Sequence, residues 1–302
     1  MSNDGHIELH PSDPERRGVK KGLYLIPSAF TAANIGCGFY AVMTALRGFQ
    51  LLATGREGDL ARAAGLLDQA AIAIGLAVIF DTLDGRIARL TKTTTEIGIQ
   101  LDSIADVVTF GLAPAVLAYV WGYGASLEEG SGLHRMGIFL SFMYLMCGAF
   151  RLARFNVQSS RPRILAEGTV KVDKKSFVGL PIPVAGGLIA AIIHFTPFPL
   201  VYYGPERAEV YSIMLMALVG FLSVLMVSTI RFSSFKEIGT RSRSMRTVIL
   251  VVGFFMLLVL YSRHVLLGLA TGYILYGLLS RAVGMFRRRP DLSKSKIQAK
   301  EI

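Results

Sequence analysis

The sequence predicts an all-α membrane protein, a polytopic helical bundle, from its composition and from two patterns along the chain. Of the 302 residues, 52% are apolar and only 18% are charged, whereas soluble domains carry about 25% charged residues. The apolar residues are grouped in long runs, and a helix needs about 20 of them to cross a bilayer. Lysines and arginines are concentrated between alternate runs, as in the cytoplasmic loops of membrane proteins.

Eight helical spans are predicted from these runs. Their approximate bounds are 24–46, 65–87, 99–121, 136–157, 178–197, 211–230, 246–262 and 264–284. The last two are so close that they are also interpretable as one span, which leaves the choice between six and eight spans open. The chain then divides into an N-terminal arm (1–22), a core (23–231), additional spans (232–285) and a basic tail (286–302). The arm is polar and carries both charge signs, unlike a signal peptide.

Basic residues indicate the orientation of the bundle. Of the 32 lysines and arginines, 26 lie in the arm, in or at the edges of the connections that follow the second, fourth and sixth spans, and from Arg281 to the C-terminus. Because short cytoplasmic loops hold basic residues in excess, both termini and the connection after the second span are predicted to be cytoplasmic. This topology and contacts with anionic lipid explain the net charge of +11, so no nucleic acid partner is predicted.

Five further residues are interpreted by position alone. Cys37 and Cys147 lie inside apolar runs and are interpreted as packing residues. Trp121 and Tyr123 are interpreted as anchors at the membrane interface. His194 is placed on the far side of the membrane, with no carboxylate partner that the sequence identifies.

Four aspartates flank the connection between the second and third spans. Asp81 and Asp84 are three residues apart, and Asp102 and Asp106 are four apart, so each pair shares one helix face. In an antiparallel hairpin the four carboxylates converge, and their mutual repulsion is relieved by divalent cations. All-oxygen ligands favour magnesium, manganese or calcium over zinc. The spacing therefore predicts a metal site at the cytoplasmic end of the hairpin.

Small and basic residues surround these aspartates. Gly85, Ala88 and Gly98 leave open space along the aspartate faces, and Arg89 is suited to hold a phosphate in a bidentate fork. Thr95 belongs to a run that caps the next helix, whose N-terminal amides also favour anions. Together these residues predict a site for a diphosphate that carries a water-soluble head and a lipid tail.

The alternative interpretation of the aspartates is structural. Each would then lie at a helix end and pair with Arg86, Arg89 or Lys92. Carboxylates are costly at membrane depth, so four of them at matched helical spacing favour the functional interpretation.

The segment 81–106 resembles the signature of the CDP-alcohol phosphatidyltransferase family. The pattern D-x-x-D-G-x-x-A-R, eight residues, then G-x-x-x-D-x-x-x-D is matched at every defined position. The resemblance implies a six-helix CDP-alcohol phosphotransferase core, here followed by about two further C-terminal spans, and a site for two divalent ions, Mg²⁺ or Mn²⁺. It also implies a homodimer, and it assigns the general base to Asp106.

Three further stretches resemble the branch of this family whose acceptor alcohol is L-serine. They are IPSAFTAANIGCGF (26–39), RLARFN (151–156) and FVGLPIPVAGG (177–187). This resemblance implies that the serine hydroxyl attacks the lipid-side phosphorus of CDP-diacylglycerol and releases CMP. Ser28 departs from the family pattern, which commonly has asparagine there, so a nucleotide contact by residue 28 stays open.

Five other polar residues each have two interpretations. Thr31 and Asn34 would contact the nucleotide, or they would form interhelical hydrogen bonds. Arg151 and Arg154 would bind the serine carboxylate with Asn156 nearby, or they would anchor the end of the span at the cytoplasmic surface.

Two functions are alternatives to transfer of a phosphatidyl group to serine. Another acceptor alcohol, such as glycerol phosphate, inositol phosphate or choline, is compatible with the aspartate signature. A cation transporter, with the aspartates as its ion site, requires polar residues through several spans to the other side. The sequence instead predicts one polar cluster at one end of the bundle.

Overall fold

The computed structural model describes residues 14–56, 58–91, 96–160, 176–233 and 261–287. Its α-helices are α1 (Pro14–Thr54), α2 (Asp59–Thr91), α3 (Glu96–Asp106), α4 (Ala113–Ala118), α5 (Gly132–Ser160), α6 (Ile182–Phe195), α7 (Pro205–Val227) and α8 (Ser262–Arg287). Two π-helical segments, Val107–Leu112 and Tyr119–Tyr123, continue α3 and α4, so that residues 96–123 form one span. A short 3₁₀ turn, Leu200–Tyr203, precedes α7.

Six helical stretches are long and apolar enough to cross a membrane, which confirms the predicted fold class. They are Ala29–Thr54, Asp59–Ile87, Glu96–Tyr123, Gly132–Val157, Pro205–Val227 and Ser262–Ala282. Helix α6 corresponds to the predicted span 178–197, but with 14 residues it is too short to cross a bilayer alone. Nearly all of the predicted span 246–262 lies outside the described residues, so the choice between six and eight spans stays a prediction.

Helices α1 and α2 form a closely packed antiparallel pair on which the site is built. Alanines occupy many buried positions of both helices, among them Ala41 and Ala45 on α1 and Ala63 and Ala70 on α2. Small side chains let two backbones approach, and this close approach supplies the packing energy that lipid surroundings do not.

The π-helical segment Val107–Leu112 begins directly after Asp106. Pro114 has no backbone N–H, so it cannot donate the α-helical hydrogen bond to the carbonyl of Phe110. The hydroxyl of Tyr144 on α5 donates to that carbonyl instead, at 3.0 Å. Gly186 on α6 packs against the same place, because a Cβ there would lie 3.0 Å from the Phe110 oxygen. Three elements therefore meet where this helix departs from α geometry.

Two short strands were not predicted from the sequence. Strand β1 (Ser176–Val178) pairs antiparallel with β2 (Arg231–Ser233). Gly179 follows β1 with a φ of +82°, and its N–H donates to the Ile230 carbonyl at 2.8 Å. A Cβ at Gly179 would lie 2.3 Å from the Met226 oxygen, so a residue without a side chain is required where the chain enters α6.

The far end of the bundle holds a polar cluster, and this corrects the interpretation of His194 as lacking a carboxylate partner. Nδ1 of His194 lies 2.5 Å from a carboxylate oxygen of Asp68 on α2, and its Nε2 lies 2.9 Å from Oγ of Ser262 on α8. The guanidinium of Arg263 also lies 3.8 Å from Asp68. This far-end cluster joins three helices that are distant in sequence.

The interpretation of Trp121 and Tyr123 as interfacial anchors is also wrong. Both side chains are buried in the core. The indole N–H of Trp121 donates to the Thr196 carbonyl at 2.9 Å, at the end of α6. An aromatic ring with one polar atom suits this buried position as well as it suits an interface.

Candidate active site

Three of the four predicted aspartates meet where α2, about three turns before its end at Thr91, lies beside the last two turns of α3. Carboxylate oxygens of Asp81, Asp102 and Asp106 all lie within 4.8 Å of one another. Asp81 and Asp102 are half-buried and Asp106 is buried. Three carboxylates at this separation repel one another strongly in surroundings of low dielectric constant, so the arrangement suits a bound cation. An all-oxygen donor set of this kind fits a hard divalent ion.

Asp84 has a different partner. It is buried, and it accepts a hydrogen bond from the hydroxyl of Thr31 on α1, which is also buried. The structure shows the interhelical hydrogen bond of Thr31, and the contact of Thr31 with a nucleotide stays a prediction. This bond fixes the Asp84 carboxylate against α1, next to the three-aspartate cluster on the same helix end.

Helix α1 approaches the π-helical segment at Gly38. A Cβ at Gly38 would lie 2.5 Å from Oγ1 of Thr109 and 2.8 Å from its Cα. The Thr109 hydroxyl donates to the backbone carbonyl of Asn34 at 3.0 Å. The absence of a side chain at Gly38 therefore lets α1 lie directly against the helix that carries Asp102 and Asp106.

The side chain of Asn34 is the least satisfied polar group of the described site. It is 1% exposed, and neither its amide nitrogen nor its amide oxygen has a hydrogen-bond partner among the described residues. A buried amide without partners is costly. The side chain is therefore suited to receive a polar ligand group.

Helix α5 brings basic and amide groups to the aspartates. Arg151 interacts electrostatically with Asp106, and its Nε is buried without a hydrogen-bond partner among the described residues. The amide nitrogen of Asn156 donates to Oγ of Ser103 at 2.8 Å, and Ser103 is the residue after Asp102. Arg154, by contrast, is exposed.

The remaining predicted site residues are only partly described. Gly85 lies one turn beyond Asp81 on α2. Ala88 and Arg89 also belong to α2, but their side chains lie outside what the structure describes, and Thr95 lies outside the described residues altogether. The assignment of these residues to a diphosphate therefore stays a prediction.

Two residues of the site were missed by sequence reasoning. Ser103 and Thr109 connect the aspartate helix to α5 and α1. Hydroxyl residues are common in membrane helices, so their presence alone does not indicate a site. The available signal was their closeness to the aspartates: Ser103 directly follows Asp102, and Thr109 comes three residues after Asp106.

The fold and the site together define a polytopic membrane protein with a partly buried acidic cluster at one end of the bundle. A sequence model of the family described as CDP-alcohol phosphatidyltransferase matches residues 24–222, which contain all four aspartates. The chain belongs to the CDP-alcohol phosphatidyltransferase family, which confirms the resemblance. It is accordingly an enzyme that transfers a substituted phosphate group. The alternative that the chain is a cation transporter is excluded.

Relatives with curated names support a narrower comparison. A CDP-diacylglycerol–serine O-phosphatidyltransferase of Helicobacter pylori is 31% identical over 258 residues, covering 85% of this chain and 91% of the relative. A Bacillus subtilis protein of the same name is 31% identical over 212 residues, covering 70% of this chain and 92% of the relative. A Saccharomyces cerevisiae protein of that name is 33% identical over 192 residues, covering 64% and 61%.

Proposed function

We propose that the chain transfers the phosphatidyl group of CDP-diacylglycerol to the hydroxyl of L-serine and releases CMP. The observation that carries the proposal is the convergence of Asp81, Asp102 and Asp106 within 4.8 Å in a family member. The relatives named above support the choice of serine, because their names give that acceptor. Other acceptor alcohols are outcomes of the test below.

The acidic cluster is proposed to hold two divalent ions, Mg²⁺ or Mn²⁺. Asp81, Asp84, Asp102 and Asp106 would hold the ions, with the Asp84 carboxylate fixed in position by Thr31. When bound, such ions neutralise charge on the diphosphate and on the departing phosphate. The close spacing of the three carboxylates supports this assignment, since without a cation they repel one another.

Asp106 is proposed to accept the proton of the serine hydroxyl. Its Oδ1 is buried and has no hydrogen-bond partner among the described residues, so a lone pair is free for the attacking hydroxyl. The serine oxygen forms a bond to the lipid-side phosphorus, the bond from that phosphorus to the CMP phosphate oxygen breaks, and the proton moves to Asp106. The chemistry needs positioning and charge stabilisation and no covalent intermediate on the protein.

The substrates are proposed to occupy opposite sides of the aspartates. The nucleotide would lie against α1, where the unpartnered Asn34 amide supports a polar contact. Arg89 would bind the diphosphate, with Gly85, Ala88 and Thr95 beside it. The serine carboxylate would lie on the α5 side, which carries the following three residues: Arg151, Arg154 and Asn156.

The orientation and the assembly also belong to the proposal. The distribution of basic residues supports an integral membrane protein whose active site and two termini are cytoplasmic, in the inner membrane if the cell is bacterial. A homodimer is proposed from the family resemblance.

In the decisive experiment, purified protein is incubated with CDP-diacylglycerol and one labelled alcohol at a time. The released CMP and the labelled lipid product are measured. We expect release with L-serine and none with glycerol phosphate, inositol phosphate or choline. Asp106→Asn should abolish release, whereas Glu128→Gln, an exposed change in a connection far from the site along the chain, should leave it unchanged. Release with glycerol phosphate alone would leave the family assignment standing and overturn the choice of serine.

A further inference from the structure

A groove opens between α1 and α2 on the outer surface of the bundle. It has a volume of about 390 Å³ and lies within the stretches of both helices that are long enough to cross a membrane. Most of its walls are small or apolar, and the lining residues include Ala33, Cys37 and Tyr40 on α1 and Gln69, Ala73 and Phe80 on α2. Each set lies along one face of its helix. Because the helices are antiparallel, Ala33 and Phe80 lie at one end of the groove, and Tyr40 and Gln69 lie at the other.

The first end of the groove adjoins the candidate active site. Ala33 directly precedes the buried Asn34, whose amide has no hydrogen-bond partner among the described residues. Phe80 directly precedes Asp81, which belongs to the three-aspartate cluster. The groove therefore begins next to the carboxylates and runs from them into the membrane-spanning part of the bundle.

The second end of the groove is crossed by a hydrogen bond between the two helices. The hydroxyl of Tyr40 donates to Oε1 of Gln69 at 3.2 Å. Both side chains are exposed on the described surface, and polar groups are costly at membrane depth unless they pair. The bond offsets part of that cost, and it ties the two walls together where the groove ends.

The length of the groove indicates what occupies it. Gln69 lies about 16 Å along α2 from Phe80, at 1.5 Å per residue. The hydrocarbon core of a bilayer is about 30 Å thick, so one leaflet is about 15 Å. A transmembrane helix of a partner would need a surface of the full thickness, whereas an acyl chain needs only one leaflet. The groove therefore fits one acyl chain of a lipid whose headgroup lies at the aspartates.

We propose that the groove holds one acyl chain of the lipid substrate and that the Tyr40–Gln69 pair limits the length of that chain. The inference rests on the proposed function, because it takes CDP-diacylglycerol as the lipid whose diphosphate lies at the aspartates. A chain that ends at the pair fills the groove, and a longer chain must displace the pair or bend out into the membrane. Tyr40 and Gln69 are remote from the reacting atoms, so they select among lipids and leave the acceptor alcohol unaffected.

Photolabelling of the wild-type protein tests the binding of the chain. CDP-diacylglycerol with a diazirine near the end of one acyl chain is added without serine and irradiated, and the labelled peptides are identified by mass spectrometry. We expect the label within residues 33–40 or 69–80, with competition by unlabelled CDP-diacylglycerol. Label on other helices alone would overturn the proposal. Because labelling requires no transfer, its failure is distinguishable from a failure of the proposed function, which CMP release with L-serine tests.

A series of CDP-diacylglycerols that differ only in acyl-chain length tests the role of the polar pair. In the wild-type protein, kcat/KM should fall about tenfold beyond the longest chain that fits, as a surplus methylene group does in a closed apolar site. Tyr40→Ala should remove this fall, because it opens the end of the groove. Phe39→Ala is the matched control, since Phe39 is a similarly exposed ring outside the lining of the groove, and it should keep the fall. An identical length profile in Tyr40→Ala and the wild-type protein would overturn the proposal.

A second copy of the chain is the competing occupant of this surface. If a second copy covered the groove, Tyr40→Cys would form a disulfide between copies on oxidation, in a protein with Cys37 and Cys147 replaced by alanine. We expect no such disulfide in detergent with CDP-diacylglycerol present. Its formation would assign the groove to an interface between copies and overturn the proposal.

Discussion

The hydroxyl of Tyr144 donates a hydrogen bond to the carbonyl of Phe110, 3.0 Å away, because Pro114 cannot supply the helical donor. Tyr144 is fully buried, and the bond lies within two turns of Asp106. A single phenol thus stabilises the irregular part of the helix that carries two of the candidate ligands.

Tyr144→Phe should destabilise the protein by about 1 kcal/mol, since it leaves the Phe110 carbonyl buried without its donor. CMP release should fall as well, because the π-helical segment begins at the residue after Asp106. Thermal unfolding in detergent and the release assay measure both effects. Tyr276→Phe, on the exposed face of α8, is the matched control. Equal stability of the two variants would contradict the role given to the Tyr144 hydroxyl.

Gly38→Ala should disturb the contact of α1 with the aspartate helix. The new methyl group would overlap Thr109, including its backbone, so one helix must move, at a cost of about 1 to 3 kcal/mol. Gly36→Ala is the control, since nothing lies within 4 Å of a Cβ there. Unfolding temperature and activity should both fall for Gly38→Ala and stay unchanged for Gly36→Ala. If Gly38→Ala is fully active, the close approach has no bearing on the site.

Removal of divalent ions should abolish activity. A chelator should stop CMP release, and added Mg²⁺ or Mn²⁺ should restore it. Asp81→Asn should lower the rate by several orders of magnitude, because it removes a proposed metal ligand. The protein should stay folded, because the side chain keeps its size and loses only its charge. Glu128→Gln serves as the control. Full activity of wild-type protein in metal-free buffer would rule out the proposed metal site.

Asp68→Asn should weaken the attachment of α8. The change removes the charged partner of His194 and Arg263, and we expect a loss of about 1 to 2 kcal/mol. Thermal unfolding followed in detergent measures it, with the exposed Glu206→Gln as a control. An unfolding temperature equal to that of the control variant would show that the far-end cluster adds no stability.

Cysteine labelling in intact cells tests the orientation. With Cys37 and Cys147 replaced by alanine, Glu128→Cys should react with an impermeant reagent from outside, and Ser159→Cys should react only after the cells are opened. The expectation follows from the excess of basic residues near Ser159. The reverse pattern would place the aspartates on the outer side of the membrane.

The fold was predictable to the extent that it depends on hydropathy. The spans follow from runs of apolar residues, and the structure mainly moves their ends. Helix α1, for example, begins at Pro14 instead of residue 24. The two π-helical segments were not predictable in this way, because residues 107–123 are apolar on almost every face and have no periodicity to interrupt. The strand pair and the shortness of α6 depend on contacts between distant residues.

The part of the site that depends on residues sharing one helix face was predictable. The spacing of Asp81, Asp102 and Asp106 predicts their convergence, and the structure brings them together. The spacing could not show that Asp84 accepts a hydrogen bond from Thr31, which lies 53 positions earlier. The pairing of Asp68 with His194, 126 positions apart, leaves no local pattern at all. Such contacts are fixed by the packing of whole helices.

The π-helical segment Val107–Leu112 affects the direction in which the later side chains of the same span point. Each residue of an α-helix turns the chain by about 100°, and the i→i+5 bonds of a π-helix enclose one residue more than α-helical bonds do. The wide turn therefore takes up an extra residue, and Trp121 and Tyr123 keep the phase that directs them into the core. Deletion of one residue within the segment is expected to restore an α-helical turn and to leave both rings buried, so the segment tolerates a change of length that a regular helix does not.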